Sequence, residues 1–184
     1  MNIIETIQKN LGFETLKKID PNTQETTGVE NPMGNTAIAQ AGIPAILIGI
    51  YNKLEESPDI NALDSKQANL IESIFGKSAP TVVQQIDHYA KFKDKHSEQQ
   101  LEHIAQESVR VVKESVGGNT DEKSVRNFVS KNKPEALLYL PPSLDLGSIL
   151  KNNNMDDRAS KMEGPVSSFM RNVEKAFNTS DSHS

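Results

Sequence analysis

The sequence predicts an all-α fold, a compact bundle of about eight to ten short and medium helices with no sheet. Three observations lead there. Apolar residues recur at spacings of three and four along most of the chain. No segment shows sustained strand-type alternation closed by hairpin turns. Aromatic residues are only 5% of the 184 residues and Trp is absent, so the core must be built from Ile, Leu, Val and Ala. Those residues fill helix interfaces well, whereas strands favour aromatic and β-branched side chains in alternation.

Taken in order, Ile3, Ile4, Ile7 and Leu11 fall at helical spacing, and Gly12 offers a stop or a kink. Phe13, Leu16 and Ile19 extend the same spacing. Asp20-Pro21 suits the opening of a short helix. Residues 26–35 are polar and turn-rich and read as a linker.

The densest apolar run, residues 42–51, leads into a helical stretch ending near Glu56, before Ser57-Pro58. At about half the length of a membrane span it reads as a buried core helix, with Pro44 in its first turn. Residues 36–41 begin helical as well, so either two helices meet at Gly42 and Pro44 or one helix bends there.

Leu63, Leu70, Ile71, Ile74 and Phe75 mark the next helix, with Asp64 or Ser65 as cap and Gly76 as stop. Ser78 and Pro80 open another, carrying Val82, Val83, Ile86, Tyr89 and Ala90. Ser97 and Gln100 form a capping-box pattern before the clearest stripe in the chain, Leu101, Ile104, Ala105, Ser108, Val109, Val112 and Val116. After Gly117-Gly118-Asn119, Thr120 caps a shorter helix with Val125, Phe128 and Val129 inward. Lys133-Pro134 opens a further apolar stretch that Pro141-Pro142 ends, and Ser143 starts a short turn through Leu150. Asp156–Met162 and Val166–Phe177 are the last two expected helices. This gives an N-terminal helical segment and linker over 1–35, one helical domain over 36–177 and a disordered tail over 178–184.

Composition excludes several chemistries. With no cysteine, disulfides, thiolate nucleophiles, zinc ribbons and iron–sulfur clusters are ruled out. The N-terminus has no basic region followed by an apolar core, so no signal peptide is read and a cytoplasmic location is expected. The net charge of -5 is concentrated early: residues 1–60 hold four Lys against eight acids, while residues 121–184 balance. That field opposes nucleic acid at the N-terminal end and is neutral toward it at the other.

Residues 41–55 (Ala-Gly-Ile-Pro-Ala-Ile-Leu-Ile-Gly-Ile-Tyr-Asn-Lys-Leu-Glu), followed by residues 70–77 (Leu-Ile-Glu-Ser-Ile-Phe-Gly-Lys), resemble the YidB-like family of bacterial domains of unknown function. The stretch from Ser78 to Tyr89 is similar to the helix that follows in such units. The likeness covers residues 36–89 best and residues 97–150 loosely. It implies an all-helical fold and brings neither a known activity nor catalytic residues.

Candidate sites are weighed residue by residue. His103 and Glu107 share a helix face, and His96 lies seven residues earlier, but a di-iron bundle needs Glu-x-x-His pairs on two helices. Here Glu102 and His103 are adjacent, and a boundary histidine is the preferred reading. Ser residues have no Gly-x-Ser-x-Gly elbow around them, and many fit as helix caps. Gly117-Gly118-Asn119-Thr120 precedes a helix but lacks the Gly-Lys-Ser/Thr of a phosphate loop. Residues 97–132 resemble a helix–turn–helix pair, with Lys123, Arg126 and Lys131 on the second helix and Asp121 and Glu122 opposing DNA at its start. The alternating lysines of residues 91–96 read as a solvated helix end. Leu140, Pro141, Pro142, Leu144 and Leu146 either wrap the core as a connector or form a docking surface for a partner. Met155, Met162 and Met170 suit an adaptable interface or irregular gaps in the core.

The expectation is a protein-interaction or assembly module without enzymatic activity, cofactor, metal or membrane span. It would act on a protein partner or on itself, and Leu140, Pro141, Pro142, Leu144 and Leu146 are its expected partner surface. The alternatives are a DNA-associated regulator built on residues 97–132 and a helical metal-binding protein or enzyme.

Overall fold

The structure, a computed structural model, describes residues 2–19, 34–91, 97–118 and 120–150. These residues form six α-helices, α1 (Ile3–Asn10), α2 (Asn35–Glu56), α3 (Leu70–Phe75), α4 (Ala79–Ala90), α5 (Ser97–Val116) and α6 (Glu122–Leu137). Single 3-10 turns lie at Ile60–Ala62, Gly76–Ser78 and Pro142–Leu144, and residues 146–150 are helical too. No strand occurs among the described residues. A division into compact units falls after Leu146, and the first unit, Met1–Leu146, holds all six helices. The helices expected at 156–162 and 166–177, the late methionines, the tail, most of the 26–35 linker and most of the Lys91–His96 run lie outside the described residues.

Helix α2 is the axis of this unit. Its 22 residues span about 33 Å. Every residue from Ala37 to Tyr51 is buried, because α1, α3, α4, α5 and α6 all pack on it. By length and composition it could cross a membrane, yet 89% of its most apolar window is enclosed by this fold. Helices around it show one apolar face each, as their spacing predicts, and α2 is apolar all round.

Of the two readings at Gly42 and Pro44, two helices or one, the structure has one. The helix runs unbroken from Asn35, with Pro44 inside it. Pro44 leaves one carbonyl without its helical donor. The gain lies in close packing at the glycines, seven residues apart on one face. A Cβ on Gly42 would stand 2.8 Å from Leu101 Cδ2 of α5, and one on Gly49 would stand 2.6 Å from both Ile74 and the Phe75 ring of α3.

Two expectations are corrected. Residues 13–19 do not continue α1. Gly12 turns the chain at φ +71°, a conformation glycine adopts freely, and the backbone then runs in non-helical form. Two buried amides replace the missing helical bonds. Gln8 Oε1 accepts from the Leu16 N–H at 3.0 Å, and Gln40 Oε1 accepts from the Lys17 N–H at 2.9 Å. Leu16 and Ile19 are then buried from this extended segment. Residues 16–19 thus lie against α2 and the segment after α6, with Lys17 bonded to Gln40 and Ile19 to Leu138. Likewise, Pro134 does not open a new helix but sits inside α6, whose cap is Asp121 rather than Thr120. The Asp121 carboxylate accepts from the Ser124 N–H at 3.0 Å, and hydrogen bonding from the Ser124 side chain, then from this N–H, holds its pKa below the usual range.

Candidate binding groove

A groove of about 770 Å³ lies between α3, α4 and the first turns of α5. Its shape follows from how α3 is made. Asn69, just before α3, takes a left-handed conformation (φ 62°) and makes no side-chain cap. Glu102 of α5 caps the helix from outside instead, accepting from the Leu70 and Ile71 N–H groups at 2.5 and 3.2 Å. At the other end, Lys53 of α2 donates to the Ser73 carbonyl at 2.6 Å. Gly76 then turns the chain at φ +55°, and a 3-10 turn delivers Pro80 to the first turn of α4. Helix α3 is therefore pinned by α2 and α5, and the groove is lined by α3, α4 and the start of α5.

Ile71, Ala79, Pro80 and Val83 are its apolar lining. Four carboxylates, Glu72, Asp87, Glu98 and Glu102, line it against one lysine, Lys77. Glu102 is engaged at α3, and Glu72 and Glu98 occupy first turns, where the helix dipole favours acids. Asp87 is different. It sits in the last turn of α4, the end that disfavours a negative charge, and its Oδ1 is buried without a hydrogen-bond partner.

The expected docking stretch is placed mostly inward. Leu144 and Leu146 are 1% and 3% exposed, and Pro141 is buried. Leu140 is half-buried and Pro142 exposed. Just before the stretch, Gln40 holds the Tyr139 carbonyl, and the Leu138 carbonyl accepts from the Ile19 N–H at 2.7 Å. Among the described residues, the exposed large apolar side chains are Leu137 and Leu138, just before this stretch.

The groups of the alternative readings are also accounted for. His103 is exposed, and the Glu107 carboxylate is bound by Arg110 and by Asn10 of α1. Arg110 holds the Glu107 carboxyl below its ordinary range against the opposing effect of burial, with Asn10 assisting. His96 lies outside the described residues, and among those described no three His, Cys, Asp or Glu side chains gather as a metal site. On α6, Arg126 donates to the Glu55 carbonyl at the end of α2 (3.0 Å) and to Glu122, while Lys133 pairs with Glu55. Those two cations hold α6 to α2, and Lys123 and Lys131 remain exposed. Gly117, at φ +69°, closes α5 by donating to the Lys113 carbonyl, as a helix stop does. The expected capping box is not formed. The Ser97 hydroxyl and Gln100 Oε1 have no partner, and the Gln100 amide reaches Asn35 at 2.9 Å.

The Tyr51 hydroxyl, near the Asn2–Glu135 contact between α1 and α6, has its pKa raised by burial and then by the Glu135 charge. Its ring meets Phe128 edge-on at 6.1 Å, so its part is packing.

The groove itself was missed by sequence reasoning. Its one local signal was Asp87, an acid in the last turn of a helix, which the stripe of α4 does not explain. No family model matches the chain, and no curated protein or solved structure is significantly similar to it.

Proposed function

We propose that this protein is a non-enzymatic protein-interaction module that seats a short segment of its partner in the groove between α3, α4 and α5. The observation that carries the reading is the groove's make-up: an open concavity lined by aliphatic side chains together with polar and charged groups. Along α4 the lining runs from Ala79 to Asp87, about 12 Å, which suits about two turns of a helix. The wider expectations belong to the same proposal: a bacterial, cytoplasmic protein, a YidB-like kinship over residues 36–89, and a total of eight to ten helices that includes the two expected beyond residue 150.

Selection of peptides from a display library tests it. Wild-type protein should enrich a family of short sequences, and a Val83→Glu variant with unchanged helicity should not retain them. Equal retention by both proteins would move the binding surface elsewhere and overturn the proposal.

A further inference from the structure

We infer that the occupant of the groove is a cationic amphipathic segment, with aliphatic side chains on one face and Lys or Arg beside them. The inference rests on the groove being the docking surface and adds the chemistry of what docks there.

Charge complementarity is the first argument. Four carboxylates and one lysine line the groove, so a partner segment that is apolar and neutral would bury acids without compensation. An acidic segment would be repelled.

Asp87 is the second and more specific argument. Glu72 and Glu98 gain from the helix dipoles at their first turns, and Glu102 caps α3, so each has a structural role. Asp87 has none. Its position at the C-terminal turn of α4 is unfavourable for a carboxylate, and its buried Oδ1 lacks a donor. A Lys ammonium or Arg guanidinium from the partner would supply both the charge and the donor. Asp87 lies one turn along α4 from Val83, so one cation beside one aliphatic side chain on the partner meets both residues.

The test uses three synthetic helical peptides that share one leucine face and carry Lys, Gln or Glu on the flanks. Binding to the full chain is followed by fluorescence anisotropy at low and at physiological salt. The Lys peptide should bind at least about tenfold more tightly than the Gln peptide, and the Glu peptide should be weakest. In an Asp87→Asn/Glu98→Gln variant that preference should fall to about threefold or less, with the unfolding midpoint unchanged or raised. A control variant, Glu114→Gln/Glu122→Gln, removes the same charge; Glu114 lies about 24 Å along α5 from Glu98 and should leave the preference intact. Equal loss in both variants would reduce the effect to net charge and overturn the inference. Equal binding of the Lys and Gln peptides, abolished by Val83→Glu, would also overturn it while leaving the docking surface in place. If no peptide binds, or binding ignores Val83→Glu, the docking surface itself fails.

Discussion

The side-chain amide of Gln40 donates to the main-chain carbonyl of Tyr139 at 2.9 Å, ninety-nine residues away in sequence. The same amide also donates to the Lys17 carbonyl and accepts from the Lys17 N–H. This one polar side chain in the otherwise apolar Ala37–Ile50 stretch of α2 thus fixes the segment before the helix and the segment after α6. Gln40 is 6% exposed, so these bonds have little competition from water.

Replacing Gln40 with Leu should leave up to three backbone groups without partners. A loss of about 2–4 kcal/mol is expected, read from the denaturant midpoint. Hydrogen exchange at Lys17 and Ile19 should accelerate more than at α5. An unchanged midpoint would show that these segments are held by apolar burial alone.

The two glycines of α2 should respond unequally. Gly49→Ala drives a methyl group into Ile74 and the rigid Phe75 ring, whereas Gly42→Ala meets mainly the movable end of Leu101. Overpacking of about 1–3 kcal/mol should exceed the helix-propensity gain at Gly49, and the two effects should nearly cancel at Gly42. Thermal melts of both variants measure the difference. Equal stability would mean that α3 moves away from α2 without cost.

A charge in the core separates α2 from the surface. Leu47→Asp places a carboxylate at a fully buried position and should abolish cooperative folding. Leu138→Asp, at a residue 40% exposed, should change stability by about 0.5 kcal/mol or less. Circular dichroism melts of the pair decide the matter, and a folded Leu47→Asp protein would contradict the buried axis.

The Glu107–Arg110 contact predicts a pH dependence with a definite sign. Arg110 lowers the folded pKa of Glu107 relative to the unfolded chain. The contribution is therefore fully present above the ordinary carboxylate value of 4.5 and is lost as pH falls through the lowered folded value. Arg110 is partly exposed, so the effect should be small and weakened by salt. Glu107→Gln should flatten the acid limb of the stability profile, and an identical limb would remove this pair from the account.

Helices with one buried face were legible in the sequence, as α5 shows. Its stripe from Leu101 to Val116 needed only the three- and four-residue spacing, and the helix ends where Gly117 turns left-handed. Helix α2 was legible as buried, but whether it continued through Pro44 stayed open, because the packing of five neighbours that holds it as one helix is not a local signal. Residues 13–19 misled for a related reason. Phe13, Leu16 and Ile19 have helical spacing, yet the bonds that fix their extended form come from Gln8 and Gln40, and Gln40 is far along the chain. The groove depends on Glu102 capping α3 from another helix, a pairing that local sequence does not display.

Amide shift mapping by NMR during titration with the lysine-flanked peptide tests the central claim most directly. The account predicts that shifts concentrate at Ile71, Val83, Gln84, Asp87 and Glu98, which line the groove. Shifts centred instead on Leu137 and Leu138, the exposed apolar pair that precedes Tyr139, would contradict it.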